Sequence, residues 1–136
     1  MRQVIFIFDF GSQVTQLIAR RVREIGVYAE IHSHNNQEKV INETLLPDSK
    51  KKPIGIILSG GPQLVNENNY PRLYKKLFSL KIPILGICYG MQIICEQLNG
   101  KVIKTLKREF GKAYIKVLKK NNLFAGSFNT ANKKQV

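Results

Sequence analysis

The sequence predicts an α/β protein of three layers: a mainly parallel, twisted sheet with helices on both faces. Three observations predict it. Short apolar runs rich in β-branched residues recur along the chain. Segments with apolar residues at helical spacing separate them. Each run ends in a glycine-rich or polar turn. Strand and helix in alternation imply right-handed crossovers and a parallel sheet covered on both sides.

The elements follow in order. Val4-Ile5-Phe6-Ile7-Phe8 is a continuous apolar run, as a strand buried on both faces requires. Val14, Leu17, Ile18, Val22 and Ile25 then form one helical stripe, with Ser12 placed to cap its start and Gly26 past its end. Val27–Ile31 alternates and reads as the second strand. A weak helix is expected over Gln37–Leu45, and an exposed loop from Pro47 to Pro53. Ile54–Leu58 is the third strand, stopped by Ser59-Gly60-Gly61-Pro62. Arg72–Leu80 reads as a helix and Pro83–Ile87 as the fourth strand. Met91, Ile94, Cys95 and Leu98 form another helical stripe, which places Cys95 in the core and ends at Gly100. Beyond it, Lys101–Leu106 and Ala113–Leu118 are strand candidates, paired as a hairpin. Residues 121–136 read as polar and irregular, and no further helix closes the layer.

Composition bounds the function. A chain of 136 residues is long enough for one real core. No apolar run approaches the roughly 20 residues of a membrane span. The start of the chain is too brief and too acidic for a signal peptide. Two cysteines, seven positions apart, make no disulfide framework, so a reducing, cytoplasmic compartment is the default expectation. The formal charge of +13 is uneven: residues 1–100 carry twelve Lys/Arg against eight Asp/Glu, residues 101–136 ten against one. A basic surface for nucleic acid is one reading; a solvated lysine-rich surface is the other, and no nucleic-acid motif interleaves aromatics with these lysines.

The chemistry centres on Gly86-Ile87-Cys88-Tyr89-Gly90, a G-x-S-x-G nucleophile elbow with cysteine for serine. Such a turn projects the thiol at a helix N-terminus, where the dipole favours the anionic, reactive sulfur. A buried structural cysteine would also suit small flanking residues. Ser59-Gly60-Gly61-Pro62 offers backbone N–H groups for an oxyanion, with the Tyr89 N–H as the second donor; a plain tight turn is the alternative. In a parallel sheet the loops Asp9–Gln13, Ser59–Pro62 and Gly86–Gln92 all leave the carboxyl ends of strands and can converge there. The Gly61 N–H is then expected within several ångströms of the Cys88 sulfur.

"GICYGMQ" resembles the nucleophile motif of the class I (triad) glutamine amidotransferases. "DFGSQVTQLIARRVREIGVY", "LSGGP" and "REFGKA" narrow the resemblance to the glutaminase domains of GMP synthases. It runs from Val4 to about Ala113 and implies a partial type-1 amidotransferase domain over residues 1–136, C-terminally incomplete, without ATP-pyrophosphatase or dimerisation domains. It makes Cys88 the nucleophile toward the glutamine amide, through a glutamyl thioester that is then hydrolysed. Gly61 and Tyr89 become the oxyanion donors, and Gln92 and Gly60 contacts of the substrate glutamine. No cofactor and no metal are implied. A synthetase domain or subunit is the implied partner; neither a membrane nor nucleic acid is.

The resemblance also implies a His and a Glu that follow the region where this chain stops. His32 and His34 sit near the second strand, outside any such motif, and read as strand-end polar residues. The chain alone is therefore expected to be inactive or weak. Two other readings stay open. A different cysteine-elbow hydrolase explains Cys88 but not Gln92 or the "DFGSQ" block. A binding module using the basic C-terminal region explains the charge but leaves the glycine loops idle.

Overall fold

The structure, a computed structural model, describes residues 1–65, 67–106, 111–119 and 121–126, and the backbone of 133–135. The chain divides into two compact units, Met1–Ile103 and Lys104–Val136.

The first unit is built on four parallel strands: β1 (Arg2–Asp9), β2 (Ala29–Ser33), β3 (Lys51–Leu58) and β4 (Ile84–Gly86). Their spatial order is β2-β1-β3-β4. The chain leaves β1 in one direction to make β2, then returns to make β3 on its other side. The β1/β3 seam is therefore the topological switch point, whose carboxyl end is where α/β sheets hold ligands. Phe8 pairs with Leu58 there, so Asp9 and Ser59 leave the sheet side by side.

Alternation along the strands fills both layers. Val4, Phe6 and Phe8 of β1 join Ile56 and Leu58 of β3 in the larger core, with residues from helices α2 (Gln37–Thr44), α3 (Lys76–Ser79) and α4 (Tyr89–Gln97). Ile7, Ala29 and Ile57 face the other way, onto Ala19, Ile18 and Val22 of helix α1 (Thr15–Glu24). Each fully buried Phe or Ile contributes about 1.5–3 kcal/mol of transfer free energy. This is the expected three-layer arrangement.

Several local expectations shift. Helix α1 turns Thr15 and Ala19 to the sheet, leaving Val14, Leu17 and Ile25 at 47%, 49% and 77% exposure. In α4 Ile93 is fully buried, and Tyr89 and Gly90 of the first turn are buried with it; Met91 and Leu98 point to solvent. Cys95 is only half-buried, its Sγ directed at the Lys101 carbonyl, 3.8 Å away. The helix ends in a Schellman turn in which Asn99, not Gly100, takes the left-handed conformation (φ 64°). Helix α3 is one turn rather than Arg72–Leu80, because side-chain amides take backbone groups that a helix would use. Gln37 bonds the Arg72 carbonyl and the Tyr74 N–H, and Gln97 bonds both the N–H and carbonyl of Leu73. Strand β3 begins within the expected loop, at Lys51.

In the second unit, Tyr114–Lys116 (β5) pairs antiparallel with Lys133–Gln135 (β6). The expected hairpin partner, Lys101–Leu106, is not a strand: Val102 packs against the larger core instead. Residues 121–136, read as irregular, contain β6. The "REFG" part of the last motif, residues 108–111, lies largely outside the described residues.

Candidate active site

Cys88 stands between β4 and α4 with φ 51° and ψ −112°. That is the first corner of a type II′ turn, a region that only glycine adopts without strain. Its carbonyl caps the new helix, accepting from the N–H groups of Met91 (3.1 Å) and Gln92 (3.2 Å). The flanking glycines are steric requirements. A Cβ on Gly86 would lie 2.6 Å from the Gly90 carbonyl carbon and the Met91 nitrogen; one on Gly90 would collide with the Leu58 carbonyl oxygen of β3. The elbow is thus pressed against the central sheet, and the thiol is left exposed.

Tyr89, next in the chain, anchors the turn from below. Its ring is buried, packs on Phe10, and its hydroxyl donates to the Pro71 carbonyl. Burial, with a smaller push from Tyr70, raises its pKa to about 12 against an opposing effect of Arg72, so the phenol stays a donor. Its side chain is structural; its backbone N–H, at the first turn of α4, is the group available for chemistry.

The glycine loop meets the elbow. A Cβ on Gly60 would stand 3.2 Å from the Cys88 Cβ and 3.7 Å from the Ser12 hydroxyl. Gly60 is the glycine that approaches Cys88, while Gly61 lies tight against the backbone of Phe10, where a Cβ would strike the carbonyl oxygen. Gln92 is half-buried one turn along α4. The three loops at the carboxyl ends of the strands therefore come together around Cys88.

Two residues the sequence did not single out hold these loops. Asp9 Oδ1 accepts from Gly11 N–H (2.8 Å), Ser12 N–H (3.2 Å), the Thr15 hydroxyl (2.9 Å) and the Ser59 hydroxyl (3.4 Å). Burial pushes the Asp9 carboxyl up, but the hydrogen bonds together outweigh it and hold the pKa below its ordinary value. The fully buried Ser59 hydroxyl also accepts the Phe10 N–H at 3.1 Å and is 3.0 Å from the Gly60 carbonyl. Asp9 with Ser12 and Thr15 carried a local signal, an acid before hydroxyls at turn spacing. Ser59, 50 residues away, carried none. Ser12, expected as the cap of α1, serves the turn instead: its hydroxyl accepts the Val14 N–H, and no side chain caps the helix.

Both histidines are otherwise engaged. His32 Nε2 lies 3.1 Å from Glu30, which also binds Lys51 at 2.8 Å. His34 stacks on Phe10 and its Nδ1 lies 3.1 Å from the Asp9 carbonyl, a contact that places the proton on Nδ1. Among the described residues neither histidine hydrogen-bonds Cys88, and no cluster of His, Cys, Asp and Glu could hold a metal ion. No helix of the described residues is long and apolar enough to cross a membrane.

A cysteine elbow on a parallel sheet, faced by a glycine loop, is the architecture of a triad-type amidotransferase. The family described as glutamine amidotransferase class-I matches residues 6–136, and the chain belongs to that family. Within it, the similarity is to GMP synthases. The glutamine-hydrolysing GMP synthase of Pseudomonas entomophila (strain L48) is 52% identical over 122 residues, 90% of this chain. That of Vibrio campbellii (strain ATCC BAA-1116) is also 52% identical over 122 residues. The chain spans 22% of the length of either relative. A solved structure from Thermoplasma acidophilum, assigned as a GMP synthase subunit, superposes with a TM-score of 0.69 at 29% identity, covering 100% of this chain and 63% of that one.

Proposed function

We propose that the chain is a glutaminase unit of the GMP synthase type, with Cys88 as its nucleophile. The sulfur attacks the side-chain amide carbon of glutamine, and the carbonyl oxygen becomes an oxyanion facing the N–H groups of Gly61 and Tyr89. Collapse expels the amide nitrogen, which takes up a proton and leaves as ammonia. Water then cleaves the glutamyl thioester to glutamate and restores the thiol. Gln92 and Gly60 border the space left for the glutamine. The ammonia serves a synthetase domain or subunit, as the names of the relatives suggest.

The observation that carries this reading is the conformation of Cys88. A non-glycine residue held at φ 51°, ψ −112° is costly, and it puts the sulfur at the carboxyl end of the sheet with Gly60 against it. The leaving nitrogen needs a proton donor, the conjugate acid of a base that first takes the thiol proton, and the two histidines of the chain are held elsewhere. A glutamine-analogue chloroketone tests the reading without that base, since alkylation releases chloride rather than an amine. Stoichiometric labelling of Cys88, slowed by free glutamine and absent in Cys88→Ser, is the expected result. Labelling that glutamine does not slow would remove glutamine as the substrate.

A further inference from the structure

The contacts of Asp9 and Ser59 go beyond local turn formation. Asp9 ends β1 and Ser59 follows β3, so the pair straddles the switch point of the sheet. Ser59 is fully buried, yet its hydroxyl satisfies three groups: it accepts from Phe10 N–H and shares its single proton between the Asp9 carboxylate and the Gly60 carbonyl. Phe10 in turn carries the surface on which Gly61 rests. The Gly60–Gly61 backbone therefore approaches Cys88 on one side and is fixed from behind by Ser59 and Phe10. A glycine pair has little conformational preference of its own. Without these fixings its N–H groups have no reason to hold one direction.

We propose that Asp9 and Ser59 are positioning residues for Cys88: they lock the Asp9–Ser12 turn to the Ser59–Gly61 turn, and so keep the Gly61 N–H aimed at the developing oxyanion. The proposal rests on the glutaminase reading above. Oxyanion stabilisation depends on donors fixed before the charge develops, and removing a donor outright costs about 10²–10³ in rate. Loosening one costs less. The carboxylate matters as well as its shape. Asp9 Oδ1 receives four donors, and the neutral oxygen of an asparagine lacks the charge that strengthens each of these bonds.

The test compares two reagents on the full chain. The chloroketone forms a tetrahedral adduct at its carbonyl and so uses the oxyanion donors; iodoacetamide alkylates the same sulfur without them. In Ser59→Ala and in Asp9→Asn the ratio of chloroketone to iodoacetamide rate at Cys88 is expected to fall at least about tenfold. The double variant should fall no further than the worse single one, because the two act on one loop. Loss of general stability lowers or raises both reagent rates together and leaves the ratio unmoved. Should Ser59→Ala not fold, Asp9→Asn carries the same comparison. An unchanged ratio in the folded variants, or fully additive losses, would overturn the proposal. If the wild-type chain itself shows no glutamine-protected chloroketone reaction, the glutaminase reading falls and takes the proposal with it.

Discussion

Cys88 is exposed at the start of α4; Cys95, two turns on, is half-buried with its sulfur over the Lys101 carbonyl. Only the first combines access with a helix N-terminus. Iodoacetamide at neutral pH should therefore label Cys88 at least about tenfold faster than Cys95, as peptide mapping of the folded chain would show; preferential labelling of Cys95 would reverse the assignment. Gly90→Ala is expected to cost about 1–3 kcal/mol in a thermal melt, because its methyl group would meet the Leu58 carbonyl and the elbow would have to lift off β3. An Ala at Gly26, whose added Cβ meets nothing within 4 Å, should cost only the strain of its positive φ. The elbow was legible because its five residues are consecutive, although the reason for Gly90, the approach of Leu58 in β3, is not local. Asp9 and Ser59 were not: their link is made by strand pairing across 50 residues, and nothing within either segment records it.

The strands were legible because continuous apolar runs leave little choice, and β1 and β3 both contain the expected segments. Helix faces were harder. Met91, Ile94, Cys95 and Leu98 make a fair stripe, yet the tight approach of Gly86 and Gly90 rotates α4 so that Ile93 points inward. Ile93→Ala should thus cost about 2–5 kcal/mol by urea unfolding, and Met91→Ala under about 0.5 kcal/mol; the reverse order would mean the helix lies on its other face. Acid stability belongs to this scale too. Asp9 at the end of β1 and Glu30 in β2 both have lowered pKa values. For Glu30, burial pushes up and is outweighed by the bonds from Lys51, Tyr28 and His32, with the Lys51 charge adding to them. A group depressed on folding stabilises the protein above its unfolded value, about 4, and that contribution is lost as pH falls through the lower folded value. Urea midpoints should therefore drop between pH 5 and pH 2, and less so in Asp9→Asn and in Glu30→Gln. An equal drop in all three proteins would show that neither carboxylate carries the effect.

At the scale of the whole chain, the 136 residues on their own are expected to release ammonia from glutamine at close to the background rate. The loss of one triad member in comparable nucleophilic hydrolases costs about 10⁴–10⁶ in rate, and both histidines here are bonded away from Cys88. A coupled glutamate dehydrogenase assay, with Cys88→Ser as blank, checks it; clear Cys88-dependent turnover with no added protein would reveal a base among residues not assigned one. The conformation of Cys88 has a further consequence, at the level of selection. A glycine at position 88 would release about 1–3 kcal/mol of backbone strain while adding about 0.5–1 kcal/mol of unfolded-chain entropy. Cys88→Gly should therefore melt at or above the wild-type temperature. Thermal stability alone favours glycine over cysteine at position 88, so the proposed thiol chemistry is what would favour keeping the cysteine. If the proposed glutaminase reaction were no longer required in some lineage, position 88 would be among the first to drift toward glycine, and its identity there would record whether that chemistry is still in use.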